Sequence, residues 1–208
     1  MPRALILANG HPPGADFLKR AIARSSLFVC ADGGANIALL HGVTPQAIVG
    51  DLDSVSAETL SAFGAIEVVH DVDTERTDTE KAIEWILAQG SFDEIVILGA
   101  MAGRLDHVVG HLSLLKRFLG RAPIVLEDEG ARAWLAHGEV SITDPPGTVV
   151  SFYAIGEPAT GVTTSGLRYA LRDCRLELGS QDSVSNVIDT VPASIKIGRG
   201  ELLVIVNR

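Results

Sequence analysis

The sequence predicts an α/β protein: a mostly parallel, Rossmann-like sheet with flanking helices, followed by an all-β sandwich. Over the first 128 residues, short apolar runs alternate with longer stretches of helical spacing. All but one of those runs are apolar at every position rather than at alternate ones, as expected of strands covered on both faces of a parallel sheet. Beyond residue 128 the helical spacing stops, and short strand-like runs separated by Gly and Pro take over, the pattern of a small antiparallel sandwich. Two domains follow from this division, residues 1–128 and 129–208.

The expected strands of the first domain are Leu5-Ile6-Leu7-Ala8, Leu27-Phe28-Val29-Cys30-Ala31, Ala47-Ile48-Val49 and Ile66-Glu67-Val68-Val69, then Ile95-Val96-Ile97-Leu98 and Ile124-Val125-Leu126. Between them, Thr79 to Gln89 places Ala82, Ile83, Ile86 and Leu87 on one helical face, and Leu105 to Leu119 does so with Val108, Leu112, Leu115 and Phe118. Strands alternating with helices form βαβ units, and such sheets bind ligands beyond the carboxyl ends of their strands. In the second domain the expected strands are Val149 to Ala154, Leu176-Glu177-Leu178, Ser194 to Ile197 and Leu202 to Val206, with turns at Asp144-Pro145-Pro146-Gly147 and Gly198-Arg199-Gly200.

Of the 208 residues, 47% are hydrophobic and 21% charged, enough apolar material for a packed core. The net charge of −9 argues against a nucleic-acid or anionic-membrane binder, which carries a basic face. A nucleotide ligand remains compatible, because a bound cation masks phosphate charge locally. No run approaches the ~18 apolar residues of a membrane helix. Cys30 and Cys174 lie far apart without metal-ligand spacing and read as reduced, mostly buried thiols of a cytoplasmic protein.

Four polar clusters follow strands of the first domain. In Ala31-Asp32-Gly33-Gly34-Ala35-Asn36 the glycines either let the backbone approach a ligand or make a plain tight turn. In Gly50-Asp51-Leu52-Asp53-Ser54, extended backbone projects Asp51 and Asp53 to one side. Adjacent carboxylates repel unless a cation lies between them, and hard oxygen ligands suit Mg²⁺. The alternative is that Asp53 or Ser54 caps a helix starting near Ala57. In Asp73 to Lys81, Thr77 and Glu80 match a capping box and Asp78 favours the helix N-terminus. Capping leaves the charge ahead of that helix unexplained. In Gly99 to His107, a small-residue loop ends in Arg104, whose guanidinium suits phosphate. His107 and His111 have half a zinc spacing but no third ligand. Carboxylates, an arginine and glycine-rich turns at one end of a sheet are the parts of Mg²⁺-nucleotide phosphoryl chemistry. Neither a Walker-type loop nor a protein-kinase glycine loop is present.

Taken in order, these motifs resemble those of the thiamine pyrophosphokinases. The resemblance runs from Cys30 to Asn36 through Gly50 to Ser54 and Thr77-Asp78-x-x-Lys81 to Gly103-Arg104-Leu105-Asp106-His107. It continues in Gly166-Leu167-Arg168-Tyr169-Ala170-Leu171 and Ser183-Val184-Ser185-Asn186. It implies transfer of diphosphate from ATP to the thiamine hydroxyl, giving thiamine diphosphate and AMP. It also implies a homodimer with thiamine bound between the α/β domain of one subunit and the sandwich of the other.

By the same resemblance, Asp51, Asp53 and Asp78 hold Mg²⁺, and Asp32, Gly33, Gly34 and Asn36 lie at the nucleotide. Arg104 contacts ATP phosphates with Lys81 in support, and Asp51, Asp53, Asp78 and Arg104 carry the catalysis. Tyr169 packs on thiamine, with Ser183, Ser185 and Asn186 shaping its pocket; the other reading of Tyr169 is a core aromatic of the sandwich. Thr74-Glu75, Ala102 and Tyr169 depart from residues common in the family, which bears on affinity. Two other functions share parts of this pattern: a pyrophosphokinase for another heterocyclic alcohol such as a pterin, and a catalytically silent sensor of thiamine diphosphate or nucleotide.

Overall fold

A computed structural model describes residues 2–208, which divide into two compact units, residues 2–129 and 130–208. The first contains strands β1 (Arg3–Leu7), β2 (Leu27–Ala31), β3 (Ala47–Gly50), β4 (Glu67–His70), β5 (Glu94–Leu98) and β6 (Ile124–Glu127). Its helices are α1 (Ala15–Ala23), α2 (Gly34–Leu40), α3 (Ala57–Ala62), α4 (Asp78–Gln89) and α5 (Leu105–Arg117). The strands pair in parallel in the order β6-β5-β1-β2-β3-β4.

The doubly apolar strand pattern has a direct structural counterpart. Leu5, Leu7, Phe28, Cys30, Ile48, Val96 and Leu98 share a core with Leu18, Ala21, Ala35, Ala38 and Phe63 from α1, α2 and the end of α3. The alternate strand residues Ala4, Ile6, Val29, Ala31, Ala47, Val49, Ile95 and Ile97 are buried as well, and α4 packs on β1, β2 and β3. Both faces are therefore covered, as a parallel sheet requires. The exception is β4, an edge strand whose residues are half-buried or exposed; its Val68 is 41% exposed. An apolar run at a sheet edge has a neighbour on one side only, which its composition does not announce.

Strands β1 to β4 proceed outward in one direction, while β5 and β6 lie on the other side of β1. The order reverses at β1, and in open α/β sheets that reversal opens a crevice at the carboxyl ends of the strands. Helices α4 and α5, which border it, are joined by Glu80, a nearly buried carboxylate that accepts two hydrogen bonds from Arg117 Nη1 at 2.6 and 2.5 Å.

The second unit contains β7 (Ala131–Ala136), β8 (Glu139–Ile142), β9 (Val149–Tyr153), β10 (Ala159–Ser165), β11 (Cys174–Leu176), β12 (Ser183–Val187), β13 (Ala193–Lys196) and β14 (Leu202–Asn207). Strands β12-β9-β14-β7 and β11-β10-β13-β8 form two runs of antiparallel neighbours. Their inward residues interleave in one core: Val150, Phe152, Val204 and Val206 from the first, Ile142, Val162, Leu176 and Ile195 from the second. This is the expected sandwich. Strands β7, β8, β10 and β12 escape the sequence reading because Arg132, Ser141, Thr163, Ser165 and Ser185 interrupt their apolar character.

Candidate active site

Each acidic cluster sits where a strand of the first unit ends. Asp32 directly follows β2 and adopts φ +44°, a left-handed conformation that costs a non-glycine residue on the order of 1 kcal/mol. It is 3% exposed, and its Oδ1 is buried without a hydrogen-bond partner. Asp51 follows β3, and Asp78 opens α4. One carboxylate oxygen from each of Asp32, Asp51 and Asp78 lies within 4.8 Å of the others.

Hydrogen bonds fix two of these side chains. Asp78 Oδ1 accepts from Lys81 Nζ at 2.9 Å and from the Asp51 N–H at 3.2 Å. Asp51 Oδ1 accepts from the Asp53 N–H at 3.1 Å. Lys81 is buried and donates also to the Asp71 carbonyl, so it is part of the acidic site's frame. Burial raises the Asp32 carboxyl above its ordinary value, and the facing Asp78 and Asp53 carboxylates add to the effect. A buried, unpartnered carboxylate oxygen beside two others is a donor set suited to a hard divalent cation, so the residues fit Mg²⁺.

Asp53 is placed differently from the other three. It is exposed, and its Oδ1 accepts from the Ser54 hydroxyl at 2.8 Å. Neither Asp53 nor Ser54 caps α3; the cap is Ser56, whose Oγ accepts from the Thr59 N–H. The capping alternative for Asp53 is thereby removed. For α4, Thr77 is the cap, with Oγ1 accepting from the Glu80 N–H at 3.3 Å, whereas the Glu80 carboxylate turns to Arg117 instead of closing a capping box.

A cleft of about 310 Å³ opens over these groups, lined by Asn9, Asp32, Asp51, Asp53, Asp78 and, from α5, Asp106, His107 and His111 among others. His111 is buried and ties two walls together. Its Nδ1 donates to the Ala100 carbonyl at 3.1 Å, which leaves Nε2 to accept from the Thr79 hydroxyl at 3.2 Å. Burial lowers its pKa and favours this neutral form. With both ring nitrogens committed, His111 has none left for zinc. Arg104 is exposed and forms a fork with Asp106, Nε to Oδ1 at 3.1 Å and Nη2 to Oδ2 at 2.5 Å. That hydrogen-bonded guanidinium pulls the Asp106 carboxyl down to about 2.

The glycine pair has another use than close approach to a ligand. A Cβ on Gly33 would lie 2.3 Å from Asn9 Nδ2, and one on Gly34 would lie 2.0 Å from the Leu7 carbonyl oxygen. These glycines let α2 meet the end of β1. Asn36 is likewise committed within the chain. It donates to the Ser54 carbonyl and accepts from the Ser56 N–H and the Thr59 hydroxyl, so it holds the Asp53–Ser54 loop. Asn9 and Gly50 border the site and carried no signal by themselves; only their adjacency to the acidic clusters across the sheet distinguishes them.

In the second unit, Tyr169 lies in the bend between β10 and β11 and is 62% exposed. It is not a core aromatic. Its N–H donates to Asn186 Oδ1 at 3.0 Å and its carbonyl accepts from Asn186 Nδ2 at 2.7 Å. Asn186 is 1% exposed, so it acts on Tyr169 from beneath. Ser183 is buried; Ser185 is exposed at φ +56°, its N–H held by the Ser151 hydroxyl.

Two family models match the chain: the catalytic domain of thiamin pyrophosphokinase over residues 18–126, and the vitamin B1 binding domain of thiamin pyrophosphokinase over residues 139–202. Thiamine pyrophosphokinase 1 of Oryza sativa subsp. japonica is 30% identical, the match covering 88% of this chain and 86% of that protein. Thiamine pyrophosphokinase of Bacillus subtilis is 28% identical, with 86% of each covered. A crystal structure of thiamine pyrophosphokinase from Bacillus subtilis superposes with a TM-score of 0.88 at 26% identity, covering 99% of this chain and 98% of that one. The yeast thiamin pyrophosphokinase, at 16% identity and TM-score 0.86, shares the fold.

Proposed function

The chain belongs to the thiamin pyrophosphokinase family, and from that premise we propose how its own residues carry out the reaction. Its activity is that of a thiamine pyrophosphokinase: an enzyme that transfers diphosphate from ATP to thiamine, giving thiamine diphosphate and AMP. The observation that carries the assignment to this crevice is the convergence of Asp32, Asp51 and Asp78 at the carboxyl ends of a parallel sheet, beside a cleft of nucleotide scale.

Asp51 and Asp78, with Asp53 lining the same cleft, would hold Mg²⁺, which would supply neutralisation of the phosphate charge. The thiamine hydroxyl oxygen attacks the β-phosphorus of ATP in line, the bond from that phosphorus to the α,β-bridging oxygen breaks, and AMP departs. Arg104, at the start of α5 and free to leave Asp106 for a phosphate, holds the departing or transferred group. Asp78, fixed through Oδ1 by Lys81 and the Asp51 N–H, helps to orient the hydroxyl, whose proton is released to water as the bond to phosphorus forms. Lys81 and Asn36 support the site from within the chain.

Tyr169 offers an exposed ring face to the cationic thiazolium of thiamine. Asn186, with Ser183 and Ser185 nearby on β12, holds that face in place. A homodimer in which the sandwich of one subunit completes the α/β site of the other accords with the family. A reducing, cytoplasmic location accords with two free cysteines, of which Cys30 is buried with its thiol pKa pushed well up.

The test is AMP release from Mg-ATP by the purified chain, with and without thiamine and with EDTA as control. Thiamine-dependent AMP together with thiamine diphosphate on chromatography is the expected result. AMP formation supported by a pterin alcohol and not by thiamine would overturn the acceptor assignment. Nucleotide binding without any AMP would make the protein a sensor.

A further inference from the structure

We propose that His111 is a positioning residue for diphosphate transfer. Its ring ties the first turn of α4, which carries Asp78, to the loop that leads to Arg104, and so fixes the spacing of two walls of the crevice. This role rests on the transfer reaction proposed for the same crevice. His111 lies on α5 about two helical turns beyond Arg104; it is 8% exposed and lines the cleft together with Asp78 and Thr79. A carbonyl oxygen only accepts, so the Ala100 carbonyl, 3.1 Å away, fixes the ring proton on Nδ1 and leaves Nε2 to accept from the Thr79 hydroxyl. Thr79 follows Asp78 in the first turn of α4, and Ala100 lies in the loop between β5 and α5; both are buried.

That loop has little of its own to hold it. Gly99, Ala100, Ala102 and Gly103 supply no side-chain hydrogen bond. On one side its backbone rests on the segment after β1: a Cβ on Gly10 would lie 1.9 Å from the Gly99 oxygen, and one on Gly99 would lie 2.7 Å from the Ala8 oxygen. Towards α4 the tie is His111. A histidine that served only to fill the core would need neither nitrogen on a particular partner. Here one nitrogen is spent on each wall and neither on α5 itself. Displacing reacting groups by about 1 Å costs on the order of a hundredfold in rate, so loss of this tie should appear in kcat. Thiamine affinity, assigned above to Tyr169, does not pass through it.

The experiment joins hydrogen exchange, followed by mass spectrometry on the full chain without ligands, to steady-state AMP release. His111→Phe keeps a ring and removes both bonds. In it, segments 77–81 and 99–104 should exchange about tenfold faster or more, with β1 and β2 at wild-type rates. Its kcat should fall about ten- to a hundredfold, with KM for thiamine changed by less than about threefold. His111→Asn, whose amide can donate near the place of Nδ1, should restore protection at 99–104 only. His111→Gln, whose oxygen can accept near the place of Nε2, should restore it at 77–81 only, and each should recover part of kcat. If His111→Phe does not fold, Thr79→Val takes its place, cutting the α4 arm alone, and should show faster exchange at 77–81 with a lowered kcat. Unchanged exchange in both segments, faster exchange throughout the α/β unit, a wild-type kcat, or a raised KM in place of a lowered kcat would each overturn the proposal. Absence of thiamine-dependent AMP from the wild type would instead overturn the transfer reading, and exchange at the two segments would still decide whether His111 ties them.

Discussion

The two units place functional groups in opposite ways. In the α/β unit the frame of the site is charged and enclosed: Asp32 and Lys81 are 3% exposed, and Glu80 is 6% exposed, with Asp53 and Arg104 outside it in solvent. In the sandwich the candidate contact group is a neutral ring 62% exposed, held by a buried amide beneath it. Enclosed charges gain in electrostatic strength and demand fixed partners. An exposed ring supported from behind contributes contact area and can be exchanged without disturbing the core. With the roles proposed above, substitutions should sort by unit into kcat and KM effects.

The largest effect sharpens that division. Asp78→Asn should lower thiamine-dependent AMP turnover at least about a hundredfold, with an unchanged circular dichroism spectrum because Asn retains the oxygen that faces Lys81. Near-normal turnover would remove Asp78 from the mechanism and break the comparison at its centre. Next is Gly50→Ala, where the added methyl meets Asp32 and Asp78. It should cost about 1–3 kcal/mol in denaturant unfolding and also lower kcat.

Tyr169→Ala tests the other side. KM for thiamine should rise about tenfold, the size of a lost cation–ring contact, with kcat nearly unchanged; a fall in kcat at constant KM would contradict the division. Tyr169→Trp should lower KM, since a larger ring face is presented. The smallest effect is a titration. Asp106 should show a pKa of about 2 by NMR, returning toward 3.8 in Arg104→Ala. Because the folded value is depressed, the contribution of this pair to stability is present above the unfolded pKa and is lost as pH falls through about 2.

Much of this was legible in the sequence, for identifiable reasons. Strands buried on both faces have an unmistakable composition, so β1, β2, β3, β5 and β6 were visible, and strand ends located the acidic clusters. The sandwich strands β7 and β10 were not, because Arg132, Thr160 and Thr163 make a one-sided strand resemble a loop. At the site, Asp51 and Asp53, adjacent along one segment, both line the cleft. Spacing along one strand carries no information about Asp32, whose approach to Asp51 and Asp78 depends on three elements and on Gly50. Gly33, Gly34 and Asn36 show the converse. Residue types suited to ligand contact here also serve packing, against Asn9 and Leu7 for the glycines and the Ser54–Thr59 segment for Asn36.

Lys81 also trims the charge of the crevice. Asp32, Asp51 and Asp78 in their ionised forms bring three negative charges to one point, and Lys81 returns one positive charge through Asp78. These four side chains together carry two negative charges, and Asp53 adds a third at the cleft wall. The crevice thereby attracts cations and repels a bare triphosphate, so a nucleotide enters it more readily when its own charge is masked.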